Sequence, residues 1–166
     1  MLAIYRGKEY VCRNRSRTFD DGSRSKCWLE LKSHEQDDED FIFGFDGWYI
    51  KMVYAAECTD IRDIVTFAEY KNESIQILYR RPQELCVAAN SHHIYSEEFI
   101  DVVLGGQIGR DLYSWVNWDV FTGFHFVVRD FIEDEEPRYS NERITKVSRE
   151  EMEHYLSLDM TEYKKK

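Results

Sequence analysis

Proline is nearly absent from this 166-residue chain, which carries only Pro82 and Pro137, while aromatic residues reach 15%. That composition excludes a disordered or low-complexity chain. A chain of this length buries roughly 70% of the surface its unfolded form exposes, so a core can form without staples. No apolar run approaches the roughly 20 residues of a membrane span. The opening MLAIYR meets charge at Arg6, too early for a secretory leader. These absences predict a soluble, cytoplasmic protein with no membrane partner. None of the four cysteines, Cys12, Cys27, Cys58 and Cys86, lies in a CxxC pair, and each sits in or beside an apolar stretch. Buried free thiols are expected rather than a zinc site or disulfides.

Signatures of chemistry are missing as well. There is no HExxH, and His92-His93 cannot both face one ion from an extended strand. His34, His125 and His154 are isolated in sequence. Gly105-Gly106-Gln107-Ile108-Gly109 follows an expected helix and lacks the lysine of a phosphate-binding loop, so it reads as a helix stop. No GxSxG elbow is present. The expectation is a protein that is not an enzyme and holds no cofactor.

One outline of catalysis stands against that expectation. Asp20 or Asp21, followed by Glu30-Leu31-Lys32, has the acid, acid-x-Lys order by which many nucleases hold a divalent ion and a water. Such a site needs carboxylates converging on the metal and a lysine near the nucleophile. It defines the alternative reading, a metal-dependent nuclease or hydrolase. The net charge of -10 opposes a nucleic-acid partner, whose binding depends on Lys and Arg neutralising phosphates.

What the chain does have is segregated charge and dense aromatics. Arg6 to Lys26 holds seven basic residues, and Glu30 to Asp46 holds seven acidic ones. The acidic run Asp37-Asp38-Glu39-Asp40 precedes the aromatics of Phe41 to Tyr49, and Asp134-Glu135-Glu136 follows Trp115 and Trp118. Aromatic anchors with an acidic rim suit a surface for a basic protein partner. We therefore take Asp37, Asp38, Glu39, Asp40, Asp134, Glu135, Glu136, Trp115 and Trp118 as candidate partner-binding residues. Ser33 to Asp40 reads as a charged loop that buries nothing.

Alternation predicts a hairpin over residues 2 to 12 turning at Gly7, a strand at Cys27 to Lys32 with Cys27, Leu29 and Leu31 on one face, and a tight bend at Phe41 to Trp48. Trp48 to Tyr54 reads as a strand with Tyr49, Lys51 and Val53 on one side, followed by a turn-like acidic segment at Glu57 to Asp63. A strand pattern from Phe67 to Tyr79 puts Ile75, Ile77 and Tyr79 together. Ser96 to Gly105 has a cap, apolar residues at helical spacing and a glycine stop. Strands are expected at Leu112 to Phe121 and Phe124 to Ile132. A last helix starts at the capping box Ser148-Arg149-Glu150-Glu151.

The expected fold is α+β and predominantly β, with two β-rich units of small-barrel or bent-sheet type and two short helices. The units are placed at 1-65 and 66-166, the second with an inserted helix and a C-terminal helix. Offsetting the chain by 65 lays Tyr70-Lys71-Asn72 on Tyr5-Arg6-Gly7, and Ile144 to Glu151 resembles Ile50 to Glu57. A duplicated unit accounts for both matches, and so does chance similarity between β-rich segments.

The opening AIYRGKEY, the YIKMV pattern with Glu57, and TFAEYKNESIQI resemble small acidic bacterial immunity proteins of toxin–immunity systems. That resemblance covers about half of the chain, and the Leu85 to Arg143 region departs from it. It implies a cytoplasmic, non-catalytic protein that binds and neutralises a toxin domain, with a general protein-interaction module as the broader reading.

Overall fold

The computed structural model describes residues 1–15, 20, 27–44, 47–89, 92–107, 112–132 and 138–158. They form two compact units, Met1–Ile64 with Val128–Glu142, and Val65–Val127 with Arg143–Lys166. Antiparallel strands dominate both, and two α-helices occur among the described residues.

In the first unit, β1 (Leu2–Tyr5) and β2 (Lys8–Asn14) form the expected hairpin, with Arg6 and Gly7 at positive φ in its two-residue turn. Glycine takes that conformation without steric cost, whereas Arg6, at φ 51°, is held there by the pairing on either side. β3 (Trp28–Ser33) pairs with β2 and with β5 (Tyr49–Tyr54), and β4 (Ile42–Phe43) closes the edge against β5. The hydrogen-bonded order is β4-β5-β3-β2-β1 and then β6 (Cys58–Tyr70), open at β4.

Alternation explains the core. Leu29 and Leu31 of β3 and Val53 of β5 turn inward to meet Tyr5, Tyr10, Cys12 and Phe41. Burying a side chain of this size contributes roughly 1.5–3 kcal/mol. The expected face of Cys27, Leu29 and Leu31 is therefore present.

β6 (Cys58–Tyr70) corrects one expectation. The acidic Glu57 to Asp63 segment is not a turn: a 3₁₀ turn at Ala55–Glu57 leads directly into a long strand. Pairing with β1 satisfies its backbone, and its charges are tied locally, with Arg62 reaching Asp60 at 3.1 Å and Glu9 at 3.2 Å. The turn-like composition shows up only as a bulge, where Asp60 adopts φ 53° and the register against β1 shifts.

In the second unit, β6 turns through Lys71 and Asn72 into β7 (Glu73–Arg80), which pairs with β8 (Glu84–Ala88), itself paired with β9 (Tyr113–Asn117). The left-handed residue identified in this turn is Lys71, at φ 54°. Ile75 and Ile77 are buried, but Tyr79 is exposed, against expectation. The β7–β8 register shifts between Ile77 and Tyr79, and this bulge breaks the alternation that would have carried Tyr79 inward.

Helix α1 (Glu97–Val103) sits where its cap and glycine stop predict, with Ser96 Oγ accepting from the Phe99 N–H at 3.2 Å and Gly105 and Gly106 at positive φ beyond it. The expected strand at 112 to 121 is shorter: β9 gives way at Asn117 to a 3₁₀ turn, Trp118–Val120, whose first N–H groups Asn117 Oδ1 helps satisfy. β10 (Gly123–Ile132) pairs with β6 and with β11 (Arg138–Val147). Helix α2 (Arg149–Leu158) starts at a reciprocal capping box. Ser148 N donates to Glu151 at 2.7 Å, and Glu151 N donates to Ser148 Oγ at 3.1 Å. Met152, Tyr155 and Leu156, at helical spacing, form its buried stripe. No helix among the described residues is long and apolar enough to cross a membrane.

Candidate functional site

The acidic run Asp37 to Asp40 lies between β3 and β4 and is folded back onto the sheet by cations of its own unit. Lys51 is the centre of this arrangement. It shares the Val53 side of β5, and its side chain is only 7% exposed. Its ammonium donates to Asp38 Oδ2 at 2.8 Å and Asp40 Oδ2 at 3.0 Å, and lies 5.2 and 5.6 Å from the ring centres of Tyr5 and Phe41. Lys8 donates to Asp37, and Arg6 stands 3.6 Å from Asp38. The expectation that this loop buries nothing is thus corrected: its carboxylates cover a buried ammonium, because an unpaired charge there would be costly.

The electrostatics follow from these contacts. Burial by itself would raise the Asp37 carboxyl, but hydrogen bonds from Lys8 and Ser33 and the Lys8 charge outweigh it and hold it below its ordinary value. The hydrogen bond from Lys51 lowers Asp38. Burial works against the Lys51 ammonium, yet its bonds to Asp38 and Asp40 leave it raised. Tyr10 is pushed up to about 12 by burial and by the neighbouring Asp37.

Beside this loop the sheet ends in an apolar edge. Ile42 and Phe43 are 70% and 63% exposed, and the Phe43 ring packs edge-on against Tyr49 at 5.1 Å. Tyr49 shares its strand face with Lys51, so the aromatic pair and the acidic loop occupy the same side of β5. Asp40 remains 67% exposed, and among the described residues the carboxylates of Glu35 and Glu39 pair with no cation.

The other candidates fare differently. Asp134, Glu135 and Glu136 lie outside the described residues. Trp115 is half-buried on β9 with the Arg81 guanidinium 3.7 Å above its ring. Trp118 is buried, packed against Phe124 at 5.4 Å with Arg149 over it at 5.2 Å, and that burial assigns it to the core. A cleft of about 440 Å³ beside it is lined by Asp119, Phe121, Thr122, Ser148 and Arg149 among others. Its polar groups are already engaged: Arg149 holds Asp119 at 2.7 Å and Glu153 at 2.8 Å, and Ser148 caps α2.

The nuclease outline comprises Asp20 or Asp21, Glu30 and Lys32. Glu30 accepts from Arg15 at 2.8 and 2.9 Å, Lys32 is 5% exposed, and Asp20 lies in an exposed turn. Asp21 lies outside the described residues. Among the described residues no group of three or more His, Cys, Asp or Glu is placed to hold a metal ion. Lys32 is also not the ordinary strand-face charge that its alternating position suggests. The four cysteines are not joined in disulfides, and Cys12, Cys27 and Cys86 are buried with Cys58 partly so.

A family model described as Uncharacterised conserved protein UCP033725 matches residues 1–103, more than half of the chain. The chain belongs to this family. The matched span includes the acidic loop, β4 and β5, and it ends with α1. No curated protein and no solved structure matches the UCP033725 chain.

Proposed function

We propose that this member of the UCP033725 family is a non-catalytic, cytoplasmic binding protein of the immunity type, which neutralises a basic partner such as a toxin domain. The observation that carries the reading is the exposed Phe43, packed on Tyr49 beside an acidic loop already ordered by Lys51. An apolar anchor beside a pre-shaped charged rim is what protein recognition requires, and ordering the loop in advance removes part of its entropic cost on binding. A chain of net charge -10 attracts a basic partner at long range. The left-handed turns at Arg6 and Lys71, 65 positions apart, support the further reading that the two units arose by duplication.

The test is association with a basic protein, first of all any toxin domain that proves to be encoded beside its gene. Binding whose rate falls as salt rises is the expected result. A partner whose association ignores both salt and neutralisation of Glu39 and Asp40 would remove the acidic rim from the account.

A further inference from the structure

The β4 edge carries one apolar side chain on each of its two faces. Alternation sends Phe43 to the side of Tyr49 and Lys51, and sends Ile42 to the opposite side with Ile50 and Met52. Met52 is exposed as well. A flat partner surface can cover only one of these faces.

The backbone of the edge narrows the choice further. Gly44 N donates to Trp48 O at 2.6 Å, which marks a hydrogen-bonded pair. The next such pair is Ile42 with Ile50, so the N–H and C=O of Phe43 point away from β5. Two residues before Phe43, the Phe41 N–H already donates to Asp38 O, and the Phe41 carbonyl accepts from Gln36. Among the described residues of this edge only Phe43 leaves its backbone open, which is too little to template an added strand, so side chains dominate recognition there.

Charge selects the occupant. Glu35, Asp37, Asp38, Glu39 and Asp40 are five carboxylates, and Arg6, Lys8 and Lys51 are the three cations paired with Asp37, Asp38 and Asp40, which leaves an excess of two negative charges. A second copy docked edge to edge would bring two such rims together and be repelled.

Building on the binding reading above, we propose that the β4 edge inserts into a basic groove of a protein partner, with Ile42 and Phe43 contacting opposite walls and Glu39 and Asp40 pairing with Lys or Arg at its rim.

The experiment places the photo-crosslinking side chain benzoylphenylalanine at position 42, 43 or, as a control on the second unit, 113, in the full chain expressed in cells. Positions 42 and 43 are expected to capture the same protein through different segments flanked by Lys or Arg, with position 113 silent. Ile42→Ala and Phe43→Ala are each expected to weaken binding to that protein about tenfold or more, as loss of a buried anchor of this size does, with unchanged denaturation midpoints. Capture from only one of the two positions, or capture of a second copy of the chain, overturns the groove. A partner that binds with salt-sensitive kinetics yet tolerates both alanine variants ends this inference while the binding reading stands. No capture from any position, together with no salt-sensitive partner, ends both.

Discussion

Lys51 Nζ lies 2.8 Å from Asp38 Oδ2, so the one lysine on the inward side of β5 is held by the acidic loop that precedes β4. The loop and the sheet therefore depend on each other. Lys51→Met and Asp38→Asn should each lower the denaturation midpoint, and the double variant should lose less than the sum of the two. A double-mutant cycle by urea denaturation measures that coupling, and strict additivity would contradict the pairing.

The same contacts set the pH dependence. Asp37 and Asp38 titrate lower in the folded chain than in the unfolded one, so their contribution is present above the unfolded value near 4 and is lost as pH falls through the folded values. Stability should decline below about pH 4. On the alkaline side, Lys51 and Tyr10 are raised, so the unfolded chain loses their protons first, and stability should fall as pH rises above roughly 10. Thermal unfolding across pH in wild type and in Asp37→Asn tests the acid limb, which should be shallower in the variant.

Helix capping offers a local check in the second unit. Ser96→Ala removes the acceptor for the Phe99 N–H, and Ser148→Ala removes half of the box that starts α2. Each should cost about 1 kcal/mol by chemical denaturation, with glycine at either position costing less.

Gly123 is needed for space rather than for its φ. A Cβ there would stand 2.9 Å from Glu69 Oε2, whose other oxygen is held by His125 Nδ1 at 2.8 Å. Gly123→Ala should destabilise by about 1–3 kcal/mol, as overpacking usually does, and Glu69→Ala in the same chain should recover part of that loss.

Binding and folding should separate along the acidic run. Glu39→Gln should slow association with a basic partner at low salt while leaving stability near wild type, since Glu39 pairs with no cation among the described residues, whereas Asp40→Asn should slow association and also lower stability, because Asp40 holds the buried Lys51 ammonium. Lys32→Ala should instead destabilise the fold, because that side chain is buried, while Glu30→Ala should do so less. Stopped-flow association beside urea denaturation distinguishes these outcomes.

The elements readable from the chain alone are those governed by neighbours in sequence. The turn at Gly7, the alternation that sets Leu29 and Leu31 on one face, the Ser96 cap with its Gly105 stop, and the Ser148 box are each written in patterns a few residues long. Even the side of β5 that carries Lys51 was legible, since alternation puts it with Val53. Long-range pairing decided the rest. Composition alone reads Glu57 to Asp63 as a turn, but β1 supplies the partner that makes it a strand, and the bulge that exposes Tyr79 exists only in the register between β7 and β8. The fate of the acidic run belongs to the tertiary structure for the same reason: the sequence determines its charge, but the cations that fold it onto the sheet, Arg6, Lys8 and Lys51, come from at least ten residues away in the chain and meet it only when the strands pair.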